Sequence, residues 1–316
     1  MQDQVVFVGV DAAKAELVSN VYGSECCVVL PNQAAAIEAW LQALPKGVRV
    51  AVESTGNCHA PLVHEAIRLG VPVYVLNPKD VYFYAKALGT RGKTDRVDAR
   101  VIARYLAEHH GRLRAYQPAA PEQAEIERLL RQRWAVVNKR TALREALCGS
   151  TVIETQIAQL DDSFESLLQA IDQRIDQLID ADKALKAGRQ RLQTITGVGS
   201  QSSALLTSLL ARLQFASADA FVAFSGLDPR PHDSGRSRGT RRLSKRGSPY
   251  LRRQMFMAAM SASHSKVFKP LYEQLRARGL KTTEALVVLA RKLLRIAYAV
   301  WRQDVPFDPT RFTVPA

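Results

Sequence analysis

The first 112 residues alternate short apolar runs with amphipathic segments, and the order of these segments constrains the fold more than any other feature of the chain. Three apolar runs come first, separated by turn-forming residues, and predict consecutive strands: VVFVGVD, AELVSNVY and ECCVVL. The segments that follow alternate in the order helix, strand, helix, strand, helix: AAAIEAWLQAL, VRVAVE, HAPLVHEAIRLG, VPVYVLN and DRVDARVIARYLAEHH. This order predicts a mixed α/β domain.

Three strands followed by this alternation are typical of the ribonuclease H-like fold. The main competitor is a doubly wound nucleotide-binding domain, which would carry a glycine-rich phosphate loop after its first strand. The residues after VVFVGVD are AAKAEL, a stretch without glycine. We therefore predict an α/β ribonuclease H-like domain over residues 1–115.

The rest of the chain is predicted to be mainly helical, in two parts. A Pro/Ala stretch, YQPAAPE, has the composition of a linker, and residues 123–187 predict two long helices, the second with Asp162 as its N-cap. These helices suit a spacer that also dimerises as a coiled coil, or an ordinary helical subdomain. We divide the chain into residues 1–115, a helical or coiled-coil spacer at 116–190, and a basic α-helical domain at 191–316.

The net charge of the chain is +14, and the excess is confined to one part. Residues 191–316 hold 21 Lys and Arg against 7 Asp and Glu, whereas residues 1–190 hold 23 of each kind. Such a split indicates parts with different tasks, and a strongly basic domain is typical of proteins that bind nucleic acid. The alternative is a solvated basic surface that only keeps the protein soluble.

Four carboxylates recur at positions where side chains can meet. Asp11 and Glu53 each end a strand, so both are expected at one edge of the sheet, where adjacent strands lie about 4.8 Å apart. Asp95 and Asp98 lie in KTDRVDAR at i and i+3, on one face of a helix. Taken singly, each carboxylate also suits a turn cap or a helix start.

Together these carboxylates predict a metal site. Acidic side chains gathered in a basic protein would repel phosphate unless a divalent cation lies between them. We therefore expect one or two Mg²⁺ ions, with Mn²⁺ as an alternative, acting on a phosphodiester. Two neighbouring basic side chains would meet backbone phosphates at the rim of the site: Arg91 and Lys93.

The segment at residues 228–253, DPRPHDSGRSRGTRRLSKRGSPYLRR, holds nine Lys and Arg against two Asp. Its glycines keep the backbone open, so we predict a loop that lies against phosphates through Arg236, Arg238, Arg241, Arg242, Lys245 and Arg246. A serine in this setting suits a nucleophile, because guanidinium groups would stabilise its alkoxide. Three serines are candidates, and each also suits a phosphate hydrogen bond: Ser234, Ser237 and Ser244.

Further along the helical part, ITGVGSQSSALLTSLL has the form of a helix-hairpin-helix turn. Gly197 and Gly199 would let backbone amides approach a phosphate, although a helix cap accounts for them nearly as well. FVAFSGL predicts a short helix, and Ser248-Pro249 predicts a helix start. KTTEALVVLARKLLRIAYAVW predicts a long helix that ends before Val305-Pro306.

The motifs together resemble one family. GVDAAK, VESTG, LNP and KTDRVDAR, followed by ITGVG, FVAFSGLDPRPHDSG, RLSKRG and LRR, are similar to the DEDD transposases of the insertion sequence 110 family, which are related to the Piv DNA invertases. The resemblance covers nearly the whole chain. The combination of KTDxxDA with a later serine-glycine and SKxG sequence is specific to it.

This resemblance implies a RuvC-like first domain whose catalytic, metal-binding carboxylates are Asp11, Glu53, Asp95 and Asp98. It also implies that Ser234 is a nucleophile that forms a covalent phosphoserine link to DNA. The expected protein is a site-specific recombinase and transposase that acts on donor and target DNA as a homodimer or tetramer, guided by a structured non-coding bridge RNA. The alternatives are an RNA-independent DNA invertase, a junction nuclease that uses metal-activated water, and a non-catalytic nucleic-acid-binding scaffold.

Two further features bear on the setting of the protein. The cysteines, at positions 26, 27, 58 and 148, have the spacing of neither a zinc site nor a disulfide framework, which favours reduced thiols. The chain has no run of about 18 apolar residues, and MQDQVVFVGV has neither a basic n-region nor a small-residue cleavage site, so we expect no membrane span and no secretory signal. We expect a bacterial cytoplasmic protein, associated with the nucleoid, with no membrane segment.

Overall fold

A computed structural model describes residues 5–54, 56–89, 92, 94–230, 233–234, 237–238 and 242–312. The chain forms two compact units, Met1–Pro118 and Ala119–Ala316. Within the described residues, no helix has both the length and the apolar character needed to cross a bilayer.

The first unit is built on a five-stranded sheet. Its strands, in chain order, are β1 (Phe7–Ala12), β2 (Glu16–Val21), β3 (Cys27–Pro31), β4 (Arg49–Glu53) and β5 (Val73–Leu76). The spatial order is β3-β2-β1-β4-β5, with β1 antiparallel to β2, β2 antiparallel to β3, and β4 and β5 parallel to β1. The predicted strands are confirmed, and this mixed order is that of the ribonuclease H-like fold.

The helices of the first unit are α1 (Ala34–Ala43), α2 (Ala60–Arg68), α3 (Pro78–Ala87) and α4 (Asp95–His109). Three of them match the predicted helices, whereas α3 was not predicted. It begins because the Asn77 side chain accepts a hydrogen bond from the Lys79 amide, while Pro78 occupies the first helical position.

Helices cover both faces of the sheet. On one face, Val8, Val10 and Val50 are fully buried in a cluster with residues of α1 and α2. On the other face, Ala51 and Tyr74 pack in a cluster with residues of α3 and α4. Because strand side chains alternate between faces, Asp11 and Glu53 share the face of Ala51, which is the face that α4 covers.

The second unit is mainly helical. Its helices are α5 (Pro121–Ala146), α6 (Glu154–Ala181), α7 (Lys183–Gln193), α8 (Ser200–Arg212), α9 (Ala218–Ser225), α10 (Pro249–Ser263), α11 (Lys269–Ala277) and α12 (Thr282–Gln303). The start of α10 is confirmed, because Ser248 is its N-cap and accepts a hydrogen bond from the Leu251 amide. One core runs through these helices and includes residues of both predicted parts, among them Ile126, Ile175, Leu206 and Leu289.

The start of α6 differs from the prediction. Asp162 lies inside α6, whose N-cap is Ile153, so the prediction of an N-cap at Asp162 is wrong. Arg140 and Arg144 of α5 both donate to the neighbouring Asp161. These ion pairs hold the preceding turns of α6 against α5, and tertiary contacts therefore outweigh the local capping preference.

Short strands occur where the sequence predicted a loop. They are β6 (Pro229–Arg230), β7 (Asp233–Ser234), β8 (Ser237–Arg238) and β9 (Arg242–Leu243). β6 pairs with β9 and β7 pairs with β8, both antiparallel. The expectation of an open loop across residues 228–253 is corrected at these four paired strands, and we call residues 228–247 the β6–β9 segment.

Candidate active site

Asp11 and Glu53 lie side by side at the carboxyl edge of the sheet. The parallel register of β1 and β4 pairs Val10 with Val52. Continued by one residue, the same register sets Asp11 opposite Glu53, which is the last residue of β4. The strand pairing therefore places these two carboxylates at the sheet edge that the sequence predicted.

Asp95 and Asp98 lie in the first turn of α4. The helix starts at Asp95 because Thr94, its N-cap, accepts a hydrogen bond from the Val97 amide at 3.3 Å. Both carboxylates gain from the partial positive charge at the helix N-terminus. The two carboxylates lie at the start of α4, and α4 covers the face of the sheet on which Asp11 lies.

A glycine lets α4 approach the sheet closely enough for these carboxylates to interact. A Cβ added to Gly9 in β1 would lie 2.1 Å from the Ala103 amide nitrogen and 2.3 Å from the Ala99 carbonyl oxygen. No side chain fits there, so the backbones of β1 and α4 are in direct contact. Gly9 lies two residues before Asp11, on the same face of the strand.

The carboxylates act on one another. Burial is the largest cause that raises the pKa of Asp11, to about 6, and the charges of Asp95, Asp98 and Glu53 raise it further. A backbone hydrogen bond at Ala12 acts in the opposite direction. The structure therefore brings all four predicted carboxylates within electrostatic range at one place.

The four carboxylates are suitable ligands for a divalent cation, but they do not yet form a complete coordination shell. Carboxylate oxygens are the ligands that Mg²⁺ and Mn²⁺ accept. A bound cation would offset both causes of the raised pKa of Asp11, namely burial and the charges of Asp95, Asp98 and Glu53. Across the described part of the chain, no three His, Cys, Asp or Glu side chains are already grouped closely enough to hold an ion. Binding of an ion would require the carboxylates to draw together.

Asn32 supports the site and was missed by the sequence analysis. It follows β3, and its Nδ2 donates to the Ala13 carbonyl at 2.8 Å and to the Cys58 carbonyl at 2.9 Å. Ala13 follows Asp11 by two residues, and Cys58 lies in the segment after Glu53. One side chain thus ties together the two loops that leave the carboxylate-bearing strands. Only its position directly after the third strand could have drawn attention to it.

Two other contacts shape the loop after Glu53. The Ser54 amide and Oγ both donate to the Leu76 carbonyl, at 3.0 and 3.1 Å, and fix the end of β4 against β5. Further along, burial lowers the pKa of His59, and its buried Nδ1 has no hydrogen-bond partner among the described residues. His59 is therefore neutral near pH 7. Arg91 and Lys93, predicted at the rim, lie outside the described residues.

Ser234 lies in β7, in the second unit, opposite Ser237 in β8. The backbone of Arg238 is also described, whereas Arg236 and Arg241 lie outside the described residues, as do the side chains of Ser234, Ser237 and Arg238. Three of the predicted basic residues have exposed side chains: Arg242, Lys245 and Arg246.

The base of the β6–β9 segment is fixed by Ser244. Its Oγ donates to the Asp228 carboxylate, and its amide donates to the Asp228 carbonyl at 2.9 Å. Ser244 is only 7% exposed. This contact gives Ser244 a structural task and sets it apart from the other two serine candidates.

The two glycines of the predicted helix-hairpin-helix turn differ. Gly197 has φ +94°, and a Cβ there would lie 2.6 Å from the Ala258 carbonyl oxygen of α10. Gly199 is the exposed N-cap of α8, with no atom within 4 Å of an added Cβ. Packing against α10 therefore accounts for Gly197, and an open surface surrounds Gly199.

Comparisons with known proteins agree with the motifs. Residues 8–150 match a DEDD transposase model of the IS110 type, and residues 189–273 match the model described as "Transposase IS116/IS110/IS902 family". The chain is 30% identical to the pilin gene-inverting protein of Moraxella bovis over 96% of this chain and 97% of that protein. It is 31% identical to the protein of the same name from Moraxella lacunata, with the same coverage.

Among solved structures, Thermus thermophilus RuvC bound to a Holliday junction substrate matches 36% of this chain and all of the RuvC chain. The identity is 21% and the TM-score 0.28, so the strand order described above, rather than this match, identifies the fold. The family models and the full-length relatives agree with each other. The chain belongs to the IS110 family of transposases.

Proposed function

We propose that this protein cuts and rejoins DNA strands at specific sites, using carboxylate-bound Mg²⁺ and a serine nucleophile. The observation that carries the proposal is the mutual effect of Asp11, Glu53, Asp95 and Asp98, in a chain whose basic excess lies in its other unit. The matching family models, which describe transposases, support the same reaction class.

The four carboxylates would hold one or two Mg²⁺ ions, or Mn²⁺ in their place. An ion bound there would polarise the scissile phosphate and stabilise the charge that develops on it. Asp11 and Glu53 would supply oxygen ligands from a rigid sheet edge, and Asp95 and Asp98 would supply them from the helix start. Arg91 and Lys93 would meet the neighbouring backbone phosphates.

Ser234 would attack the phosphorus atom of a DNA phosphodiester. A bond forms between its Oγ and phosphorus, the bond from phosphorus to one sugar oxygen breaks, the serine proton is lost, and the departing sugar oxygen gains a proton. Attack by the hydroxyl of another strand reverses these changes and frees the serine. The number of phosphodiester bonds is conserved, so strands are exchanged without an external energy source.

The basic side chains of the β6–β9 segment would hold the DNA during this exchange: Arg236, Arg238, Arg241, Arg242, Lys245 and Arg246. Guanidinium and ammonium groups contact phosphates without reading sequence. The amides near Gly197 and Gly199 would add contacts of the same kind. Sequence choice must then come from another source.

A guide RNA that pairs with donor and target DNA would provide this choice. DNA inversion without RNA is the second candidate, and the name of the two Moraxella relatives, pilin gene-inverting protein, favours it. Sequencing of RNA recovered from protein purified at low salt separates the two. A discrete RNA of defined sequence supports the guided reaction, whereas random RNA, or none, supports inversion.

Assembly would involve the spacer at residues 116–190. Leu160 and Leu167 of α6 are 43% and 48% exposed, and they would pack against a second copy to give a dimer or a tetramer. Together with the affinity for DNA, this assembly suits a cytoplasmic protein associated with the bacterial nucleoid.

Asp11→Asn tests the proposed function. The variant should lose DNA strand cleavage and keep nucleic-acid binding, because it loses a ligand and also a charge that repels phosphate. Glu16→Gln is the matched control, since Glu16 is an exposed acidic residue of β2 in the same unit. Cleavage by Asp11→Asn at the rate of the control would refute the carboxylate site.

A further inference from the structure

A groove between α11 and α12 combines an apolar floor with a basic rim. Leu271 and Leu275 of α11 and Val288 of α12 form the floor. Four basic residues line the rim: Arg278, Arg291, Lys292 and Arg295. The cavity measures about 230 Å³. The four cations lie outside the residues that match either family model.

Within the described part of the chain, Arg291 lacks a hydrogen-bond acceptor for one of its guanidinium nitrogens. Its Nε is buried and has no hydrogen-bond acceptor among the described residues. A buried donor without an acceptor is unfavourable by about 1–3 kcal/mol. Burial and the nearby charge of Arg295 also lower the pKa of Arg291. An anion in the groove would offset the repulsion between the guanidinium groups of Arg291 and Arg295.

Acidic residues of the protein meet part of this need. Arg295 donates to Asp219 at 2.8 Å, and the charges of Asp219 and Asp228 act on Arg291. Asp228 is already engaged at the base of the β6–β9 segment, where it accepts from Ser244. Neither carboxylate gives the buried Nε of Arg291 an acceptor, and Arg278 and Lys292 add two more positive charges to the rim.

We infer that this groove binds one phosphodiester of a nucleic-acid strand. A planar guanidinium binds phosphate oxygens through paired N–H donors, and the apolar floor suits the carbon face of the adjoining sugar. The volume is below the roughly 300–1,000 Å³ of a typical small-molecule site, which favours one unit of a polymer over a whole cofactor.

This site rests on the proposed function and adds a positioning role to it. The negative charge of Asp228 acts on Arg291. Asp228 is the residue at which the β6–β9 segment leaves the helical body. A strand held in the groove would pass beside the base of the segment that carries Ser234. The groove would thus hold nucleic acid near the base of this segment without taking part in the chemistry.

The test compares Arg291→Gln with Arg302→Gln in the full-length protein. Arg302 is exposed in the last turn of the same helix, outside the groove, so both variants lose one charge from α12. Binding of a labelled 30-nucleotide single strand and of a 30-base-pair duplex is measured at several salt concentrations. The two probes show which form of nucleic acid supplies the phosphate.

For Arg291→Gln we expect about a tenfold loss of affinity for one probe, and a salt dependence shallower by about one phosphate contact. Arg302→Gln should lower the affinity by less than about threefold. Thermal unfolding checks that each variant is folded, and Lys292→Gln provides a second rim variant if Arg291→Gln is not. Equal effects of the groove variant and Arg302→Gln would overturn the inference. Failure of the wild-type protein to bind either probe would instead count against the proposed function.

Discussion

Gly9 of β1 lies against the backbone of Ala103 in α4, so closely that a Cβ on Gly9 would fall 2.1 Å from the Ala103 amide nitrogen. This contact sets the distance between the sheet and α4. It therefore sets the distance between Asp11, two residues further along β1, and the carboxylates of Asp95 and Asp98 at the start of α4.

Gly9→Ala should consequently damage both stability and the carboxylate site. The added methyl group must push α4 away, and overpacking of this kind destabilises proteins by about 1–3 kcal/mol. Chemical denaturation and a cleavage assay measure the two effects. Gly111→Ala is the control, because Gly111 follows α4 and an added Cβ there meets nothing within 4 Å. A variant at Gly9 that is as stable as the control would contradict the close contact.

Asp11→Asn should stabilise the metal-free protein at neutral pH. The folded pKa of Asp11, about 6, lies above its ordinary value of 3.8, so ionisation is less favourable in the folded state. Stability is therefore fully present below about pH 4, falls as the pH rises towards 6, and stays lower above it. The shift sets an upper limit of about 3 kcal/mol, and partial exposure reduces the expected gain to about 1 kcal/mol.

Thermal unfolding of wild-type protein and Asp11→Asn in EDTA, at pH 4 and pH 7.5, measures this difference. The variant should melt higher at pH 7.5 and together with the wild type at pH 4. Addition of Mg²⁺ should then raise the melting temperature of the wild type more than that of the variant. A variant less stable than the wild type at pH 7.5 without metal would contradict the raised pKa of Asp11.

Asn32→Ala should show whether Asn32 positions the carboxylate site in addition to stabilising the fold. Asn20 offers a matched control, because its Nδ2 also donates to two backbone carbonyls, those of Ser24 and Cys26, at 3.0 and 2.9 Å. Each alanine variant should lose about 1–3 kcal/mol of unfolding free energy. Only Asn32→Ala should also reduce DNA cleavage, since only Asn32 ties together the loops after Asp11 and Glu53. Equal activity of the two variants would exclude this positioning role.

The glycines of the α7–α8 turn should respond differently to alanine. Gly197→Ala should destabilise the protein by roughly 2 kcal/mol or more, because its positive φ and the nearby Ala258 carbonyl both oppose a side chain. Gly199→Ala should cost less than about 1 kcal/mol, because an added Cβ meets nothing and only the N-cap preference for glycine over alanine is lost. Thermal denaturation of the two variants provides the comparison, and similar losses from both would refute it.

Much of the first unit could be predicted from its sequence. Alternating apolar runs predicted the strands. Residues at the carboxyl ends of two adjacent parallel strands, such as Asp11 and Glu53, necessarily meet at one edge of the sheet. Helix α3 was not predicted, although Asn77 as N-cap and Pro78 at the first helical position form a recognisable helix start. The close approach at Gly9 could not be foreseen, since a glycine within a strand does not reveal which backbone approaches it.

The second unit was harder to predict because tertiary contacts override local preference there. Asp162 is a favourable N-cap residue, yet the ion pairs of Asp161 with Arg140 and Arg144 extend α6 past it. The β6–β9 segment has the composition of a loop, but contacts between Ser244 and Asp228 close its base. The groove of Arg291 depends on two helices meeting, which the spacing of basic residues along α12 alone does not show.

The covalent step is the centre of this account, and a trapped protein–DNA adduct tests it most directly. With a nicked suicide substrate and Mg²⁺, the wild-type protein should form an adduct that survives denaturant. Ser234→Ala should form none, whereas Ser237→Ala and Ser244→Ala, if folded, should form it. Peptide mass mapping of the wild-type adduct should place the nucleotide on Ser234, and an adduct mapped to any other residue would contradict the account.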